Sequence, residues 1–317
     1  MGRVVVLGVF VADTAYRADR MPKMGETILG RSFALGPGGK GSNQAVAAAM
    51  AGAETHMITR LGRDPFAEMA LATWGKAGVI PAITQHEDSY TGAAYIFLEH
   101  ATGNNAIIIC PGVASTICNA DIDAREQLIA SADVFITQLE QPIPVAMHAL
   151  AIARRAGVTT VLNPAPAAAL PEGMLALCDW VTPNESEAEA LSGLPVTNAE
   201  EALAAAKVLR AKGAGAVIVT LGGQGALLHD GERSLRIPVM VAGPVLDTTG
   251  AGDAFNGGFV AALAAGADPL TAARFGAATA GISVTRAGTA PSMPALAEIQ
   301  ALLAGAEQVF DRDSGGG

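Results

Sequence analysis

The run Asp247-Thr-Thr-Gly-Ala-Gly-Asp253 sets a carboxylate directly behind Gly250, Ala251 and Gly252, and Phe255, Phe259 and Leu263 then recur at helical spacing. A helix starting here points the unpaired N–H groups of Gly250, Ala251 and Gly252 at one spot, which suits a phosphoryl group in transfer. Asp253, at the same helix end, can take a hydroxyl proton. The same run also suits an aspartate that merely caps a helix, and caps are the commoner device.

Three further clusters change that balance. Gly36-Pro-Gly-Gly-Lys-Gly41 formally contains a dinucleotide-binding pattern, but it does not stand at the first strand-to-helix turn. It is not a P-loop either, because Ala34 replaces the upstream glycine and Gly41 stands where Ser or Thr would hold magnesium. What remains is a glycine loop opening a helix, with Gly39, Lys40 and Asn43 available to a polyhydroxyl ligand and Asp13 as a further acceptor. Thr220-Leu-Gly-Gly-Gln-Gly225 follows a strand and offers amides to a nucleotide, chiefly around Thr220, Gly222 and Gly225. Asn184 and Glu187 share one face of a starting helix and can hold magnesium through water; alone they would read as a plain helix start. Ligand-type residues at several strand ends are the pattern of an open α/β sheet, where ligands bind beyond the carboxyl ends of the strands.

The rest of the chain supplies such a sheet. Strand patterns at Arg3–Gly8, His56–Leu61, Asp133–Leu139, Thr159–Leu162, Trp180–Thr182 and Ala216–Leu221 alternate with helical ones. The helical patterns cover Lys40–Ala51, Pro65–Lys76, Pro144–Ala156, Ala199–Lys212, Asp253–Ala265 and Leu270–Thr285. This predicts a doubly wound, mostly parallel sheet with helices on both faces. Thr91–Glu99 and Asn104–Cys110 break the alternation, as does the extended Thr27–Leu35. They predict a small antiparallel sheet, either a projecting lid or an edge hairpin. A second hairpin is predicted near Ala226–Pro238.

Half of the 317 residues are apolar, 16% are charged and the net charge is −10, which argues against a nucleic-acid surface. Cys110, Cys118 and Cys178 lack metal-ligand spacing, and no apolar stretch reaches membrane-spanning length, so a cytoplasmic enzyme is the expectation. No linker divides the chain. One domain over residues 1–310 is expected, with a disordered tail at 311–317.

Gly38-Gly-Lys-Gly-Ser-Asn-Gln44 and Asp247-Thr-Thr-Gly-Ala-Gly-Asp-Ala-Phe-Asn-Gly257 resemble the paired motifs of the ribokinase-like carbohydrate kinases, the phosphofructokinase-B type. The likeness extends to Gln138-Leu-Glu140, Asn163-Pro-Ala-Pro166, Thr182-Pro-Asn-Glu185 and Thr285-Arg-Ala-Gly288. It implies a ribokinase-like fold with a β-lid from about 12–38 and 90–111 that also forms a homodimer contact. It implies ATP and Mg2+, and sugar contacts from Asp13, Gly39, Lys40, Asn43 and Glu140. Nucleotide contacts fall on Asn184, Thr220, Gly222, Gly225 and Gly252. Asp253 becomes the base, and Gly250, Ala251 and Gly252 the anion hole. A potassium-type activating ion maps onto Asp247, Thr249, Ser283, Arg286, Gly288 and Ser292, several through carbonyls.

The reaction implied is transfer of the ATP γ-phosphate to a pentose primary hydroxyl, D-ribose first. Val11 stands where these kinases usually carry Asn two residues before the sugar-binding Asp, and Ala277 where they often place Asn beside adenine. Deoxyribose, another pentose or ketose, a nucleoside, and a non-catalytic sugar sensor are therefore the alternatives.

Overall fold

The computed structural model describes the backbone of residues 2–314 and side chains as far as residue 306. The chain opens with β1 (Arg3–Leu7), β2 (Val11–Ala18) and β3 (Ser32–Gly38), then α1 (Lys40–Met50), β4 (Glu54–Gly62), α2 (Pro65–Ala77) and β5 (Ile80–His86). β6 (Thr91–Glu99) and β7 (Asn105–Gly112) follow, then α3 (Asn119–Asp123), α4 (Glu126–Ala130), β8 (Val134–Thr137), α5 (Ile143–Arg155) and β9 (Thr159–Leu162). After these come β10 (Trp180–Val181), α6 (Glu185–Ser192), α7 (Ala199–Ala211), β11 (Ala216–Thr220), β12 (Ala226–His229) and β13 (Ser234–Ile237). Last are α8 (Ala251–Ala264), α9 (Pro269–Ser283) and α10 (Leu296–Ser314).

Among the described residues the large sheet runs in the order β13-β12-β11-β10-β9-β8-β1-β4-β5. It is parallel from β11 to β5, and β12 and β13 form the antiparallel hairpin predicted near Ala226–Pro238. Along β1, Val4 and Val6 face one apolar cluster while Val5 and Leu7 face the other, so both faces of the sheet are buried. That explains why these strands read as unbroken Val/Ile/Leu runs. β1 lies between β8 and β4, so the strand order reverses at its end. In open α/β sheets ligands bind at such a switch point, beyond the carboxyl ends of the strands, here those of β1 and β8.

β2, β3, β6 and β7 form a separate four-stranded sheet in the order β3-β2-β6-β7. β2 pairs antiparallel with β3 and β6 with β7, while the central β2–β6 pair is parallel. A separate sheet, rather than an edge hairpin of the large one, is thus the arrangement present, and the parallel β2–β6 pair corrects the expectation of an antiparallel sheet. The expected helices and central strands match to within one or two residues at most ends. β2, β5, α3, α4 and α10 had no predicted counterpart as elements, and the extended stretch predicted at Thr27–Leu35 forms its strand later, as β3; β5 is half-exposed and interrupted by Pro81, so its apolar pattern is weak. Of the tail expected at 311–317, residues 311–314 continue α10, and 315–317 lie outside the described residues.

One close helix contact positions the chemistry. A Cβ added to Gly257 on α8 would stand 2.3 Å from the Ala47 Cβ and 2.8 Å from the Gln44 carbonyl oxygen of α1. Only glycine lets the two helices approach so closely. Asp253 lies four residues earlier on the same face of α8, and Asn43 and Gln44 lie on the facing side of α1.

Candidate active site

Asp253 is not a helix cap. The N-cap of α8 is Gly250, in the left-handed region at φ 78° and ψ 5°, and Asp253 sits within the first turn, a buried residue only 7% exposed. Its Oδ2 accepts from Asn43 Nδ2 at 3.0 Å and its Oδ1 from Gln44 Nε2 at 3.0 Å. The carboxylate is therefore held by another helix and does not serve its own. Burial raises its proton affinity above the ordinary carboxylate range, against the opposing charge of Lys40 and the two amide hydrogen bonds. A carboxylate so placed is a stronger base than one in water.

The amides ahead of it are not equivalent. Ala251 N–H turns back onto the Thr248 carbonyl at 3.2 Å, because the tight Asp247–Gly250 turn closes there. This corrects the expectation of three free donors. Among the described residues, the amides of Gly250 and Gly252 have no acceptor. Gly252 is exposed, and a Cβ built on it would meet nothing within 4 Å, so open space lies beside it.

The glycine loop expected to hold a polyhydroxyl ligand faces Asp253. Gly39, at φ 87°, is the N-cap of α1; a Cβ there would fall 2.5 Å from the Val9 carbonyl, so no other residue fits. Lys40 N–H donates to Glu140 Oε2 at 2.8 Å, tying the loop to the end of β8. Asp13 lies against Gly38, whose added Cβ would touch Asp13 Oδ2 at 2.2 Å. Asn43 is buried, and its Oδ1 has no hydrogen-bond partner. That is a buried acceptor lacking a donor, which a hydroxyl ligand can supply. Val11 precedes Asp13 by two residues on β2 and so shares its face, buried and close against Gly92 of β6.

The cluster carries surplus negative charge. Burial, and then the charge of Asp253, raise Asp13 to about 6. Burial raises Glu140 to about 7 against the Lys40 charge and backbone N–H, with Asp253 and Asp13 adding to the rise. For Lys40, burial works against the charged form, but Asp253, Glu140 and Glu187 outweigh it and hold the ammonium charged.

On the other side, Asn184 is the N-cap of α6 and accepts from Glu187 N–H at 2.9 Å, while Glu187 Oε2 accepts from Asn184 N–H at 2.9 Å. This is a full capping box, so the pair does serve the helix start. Glu187 nonetheless stays buried near Lys40 and Asp253; burial raises its proton affinity, with the Asn184 N–H and Lys40 opposing. Asn184 bridges to Thr220 across the strand ends. Thr220 ends β11, and Gly222 opens the short turn after it. Gly225 has a structural reason to be glycine, since a Cβ would lie 2.1 Å from the Ile237 carbonyl of the neighbouring hairpin strand.

Of the expected ion-site residues, Asp247, Thr249 and Gly288 come together through hydrogen bonds. Leu246 N–H donates to the Val284 carbonyl at 2.8 Å, and Asp247 accepts from Thr249 N–H at 2.9 Å and Gly288 N–H at 3.0 Å. Burial of Asp247 is outweighed by these bonds, which hold its carboxyl below the usual range. Ser283 and Ser292 donate their hydroxyls to the Ala280 and Thr289 carbonyls, and the Arg286 guanidinium pairs with Glu298. Those three side chains are engaged elsewhere, which leaves carbonyls as the available donors.

The residues sequence reasoning did not single out lie beneath the base. Gln44, Gln138, Asn163, Thr182 and Asn256 are all buried and bonded to one another around Asp253. Their polar types at core positions were the available signal.

A pfkB family carbohydrate kinase model matches residues 1–296. The chain is 38% identical to the ribokinase of Haemophilus influenzae over 292 residues, covering 92% of this chain and 95% of that one. It is 33% identical to the deoxyribokinase of Salmonella typhi, covering 95% and 98%. Among solved structures, Arabidopsis thaliana ribokinase complexed with ribose and ATP superposes with a TM-score of 0.91 at 30% identity, covering 95% and 98%. The chain belongs to the pfkB family of carbohydrate kinases, phosphotransferases with an alcohol as acceptor.

Among the described residues no helix is long and apolar enough to cross a membrane.

Proposed function

We propose that this chain transfers the γ-phosphate of ATP to the primary hydroxyl of a pentose, D-ribose giving ribose 5-phosphate. The observation that carries this is Asp253, buried, fixed by Asn43 and Gln44 of the sugar-side helix, and set one turn behind the free amides of Gly250 and Gly252.

Asp13, Lys40, Asn43 and Glu140 bind and orient the sugar hydroxyls. Asp253 takes the proton as the primary oxygen forms its bond to the γ-phosphorus. The bond from that phosphorus to the bridging oxygen breaks, and its electron pair leaves with ADP. Gly250 and Gly252 hold the equatorial oxygens, and the Thr220–Gly225 turn with Asn184 holds the nucleotide.

No group of three His, Cys, Asp or Glu residues suited to a metal occurs among the described residues. Magnesium that keeps its waters and rides on the nucleotide phosphates fits this better than a protein cage, with Glu187 as the water-mediated partner. Bound there, it would neutralise charge on the phosphates. Asp247, Thr249, Ser283, Arg286, Gly288 and Ser292 are the residues that would hold a potassium-type ion, several through their carbonyls, and bound there it would stiffen the turn leading into α8.

The test is kcat/KM with ATP over a panel of D-ribose, 2-deoxyribose, other pentoses and ketoses, and adenosine, in potassium and in tetramethylammonium chloride. Ribose is expected to rank first, with lower rates in the organic cation. Preference for 2-deoxyribose, which Val11 and the deoxyribokinase relative would favour, overturns the choice of sugar. Preference for adenosine makes it a nucleoside kinase, sugar binding without turnover makes it a sensor, and equal rates in both salts remove the ion.

The β2-β3-β6-β7 sheet serves as a lid, and in this reading also as a homodimer contact. Tyr16, Phe33, Leu35 and Ile108 share one face of it by register and are about half exposed, an apolar surface unusual for a monomer. Sedimentation should give a dimer, and Ile108→Lys should give a monomer. A parent protein that sediments as a monomer at micromolar concentration removes the contact.

A further inference from the structure

We propose that Gln44 and Asn163 form an orientation relay that keeps an amide donor on Asp253, its sense fixed by the backbone carbonyl of Thr182. Both are positioning residues, and the role rests on the reading of Asp253 as the base.

The direction of the relay follows from its anchor. A backbone carbonyl only accepts, so Asn163 Nδ2, 2.8 Å from the Thr182 oxygen, must be the donor there. Asn163 Oδ1 therefore faces Gln44 and accepts from its Nε2 at 2.9 Å. Gln44 Nε2 is thereby turned the right way for its second bond, the one to Asp253 Oδ1 at 3.0 Å. At its other end Gln44 Oε1 accepts from Gln138 Nε2 at 2.6 Å. All three bonds agree on one orientation, and a flipped Gln44 would set its oxygen against the Asp253 carboxylate and its NH2 against the Gln138 NH2.

The same strand end steers α8 by a second arm. Thr182 Oγ1 donates to Asn256 Oδ1 at 2.6 Å, and Asn256 Nδ2 donates to the Gly252 carbonyl at 2.9 Å. The end of β10 thus fixes both the base and the peptide beside the anion hole. Gln44 is 0% exposed and Asn163 6%. Buried amides carry a desolvation cost unless fully paired, and here the pairing is spent on holding one carboxylate.

The charged groups facing Asp253 are Lys40 from α1, Asp13 from β2, Glu140 after β8 and Glu187 from α6. Lys40 favours the ionised base and the three carboxylates oppose it. Losing an amide donor shifts that contest toward the protonated form, so the acid limb of the rate profile moves to higher pH.

The test uses Asn163→Leu, whose parent side chain bonds Gln44 and the Thr182 carbonyl but not Asp253, and Gln44→Met as a second, volume-conserving variant. For each, kcat/KM with sugar is measured from pH 5.5 to 8.5, and the Asp253 carboxyl is titrated by 13C NMR in the sugar-free protein. The ratio of kcat/KM at pH 6 to that at pH 8 is expected to fall by about threefold or more in each variant, with the double variant no worse than Gln44→Met. The carboxyl titration is expected to move upward in both. Equal loss at every pH with an unmoved titration overturns the relay, because it is what simple core damage gives. A moved carboxyl titration with an unmoved rate profile supports the relay and instead overturns Asp253 as the base.

Discussion

Asp253→Asn is expected to lower kcat by about 10²–10⁴-fold, the range that general-base catalysis contributes, while the protein stays folded and still binds sugar. The geometry says why the fold tolerates it. Both carboxylate oxygens accept from amide NH2 groups, so an asparagine NH2 must collide with one donor unless that donor turns over. Gln44 is locked by three bonds, but Asn43 holds only one and leaves its Oδ1 buried without a partner. Asn43 is the group that flips, giving its idle oxygen to the new NH2. The substitution thus removes the base and exchanges Asn43's orphan oxygen for an orphan NH2, at the cost of some sugar affinity through Asn43. Rapid-quench measurement of the chemical step, with calorimetry for sugar binding, checks it. A folded variant with near-parent kcat sinks the base assignment.

Much of this site was legible because its parts are local. The Asp247–Asp253 run, the Gly38–Gln44 run and the Thr220–Gly225 turn each sit at the end of a strand or the start of a helix. At such positions residue type and conformation are tightly coupled. The alternation of β-branched runs with Ala-rich helices likewise gave the large sheet, since a strand buried on both faces must be apolar throughout. Three things were not legible from spacing. Whether Ala251 N–H is free depends on how the preceding turn closes, and it closes onto Thr248. Whether Asp253 caps its own helix depends on where that helix begins, and it begins two residues earlier than its apolar stripe suggests. The buried amides of Gln44, Gln138, Asn163 and Asn256 come from four distant segments, so only the close packing of α1 on α8 at Gly257 and the strand order bring them to one carboxylate. Asn184 and Glu187 show the converse: their spacing puts them on one face of a starting helix, and what it forms there is a capping box.

Gly252→Ala separates the anion hole from the fold more cleanly than any other change in this loop. Gly252 has no left-handed backbone requirement, and its added Cβ meets nothing within 4 Å, so the folded protein has no objection to alanine. A helical alanine in place of glycine should add about 0.5–1 kcal/mol of stability, seen as a rise in Tm. The same Cβ enters the open space that a phosphoryl group must occupy to reach the Gly252 amide. Losing one such donor costs about 10²–10³-fold in kcat, so a displaced phosphoryl group should cost about 10-fold or more. The loss should fall on kcat more than on the KM for ATP, because the charge those amides meet is redistributed in the transition state. Gly250→Ala is the contrasting variant: at φ 78° an L-residue is strained by about 1–2 kcal/mol, and its Cβ would press on Thr289 at 3.3 Å. That variant should lose stability as well as rate, whereas Gly252→Ala should gain stability while losing rate. Full activity in Gly252→Ala would mean that the transferring phosphate is cradled elsewhere, and that the glycine at 252 serves only the turn.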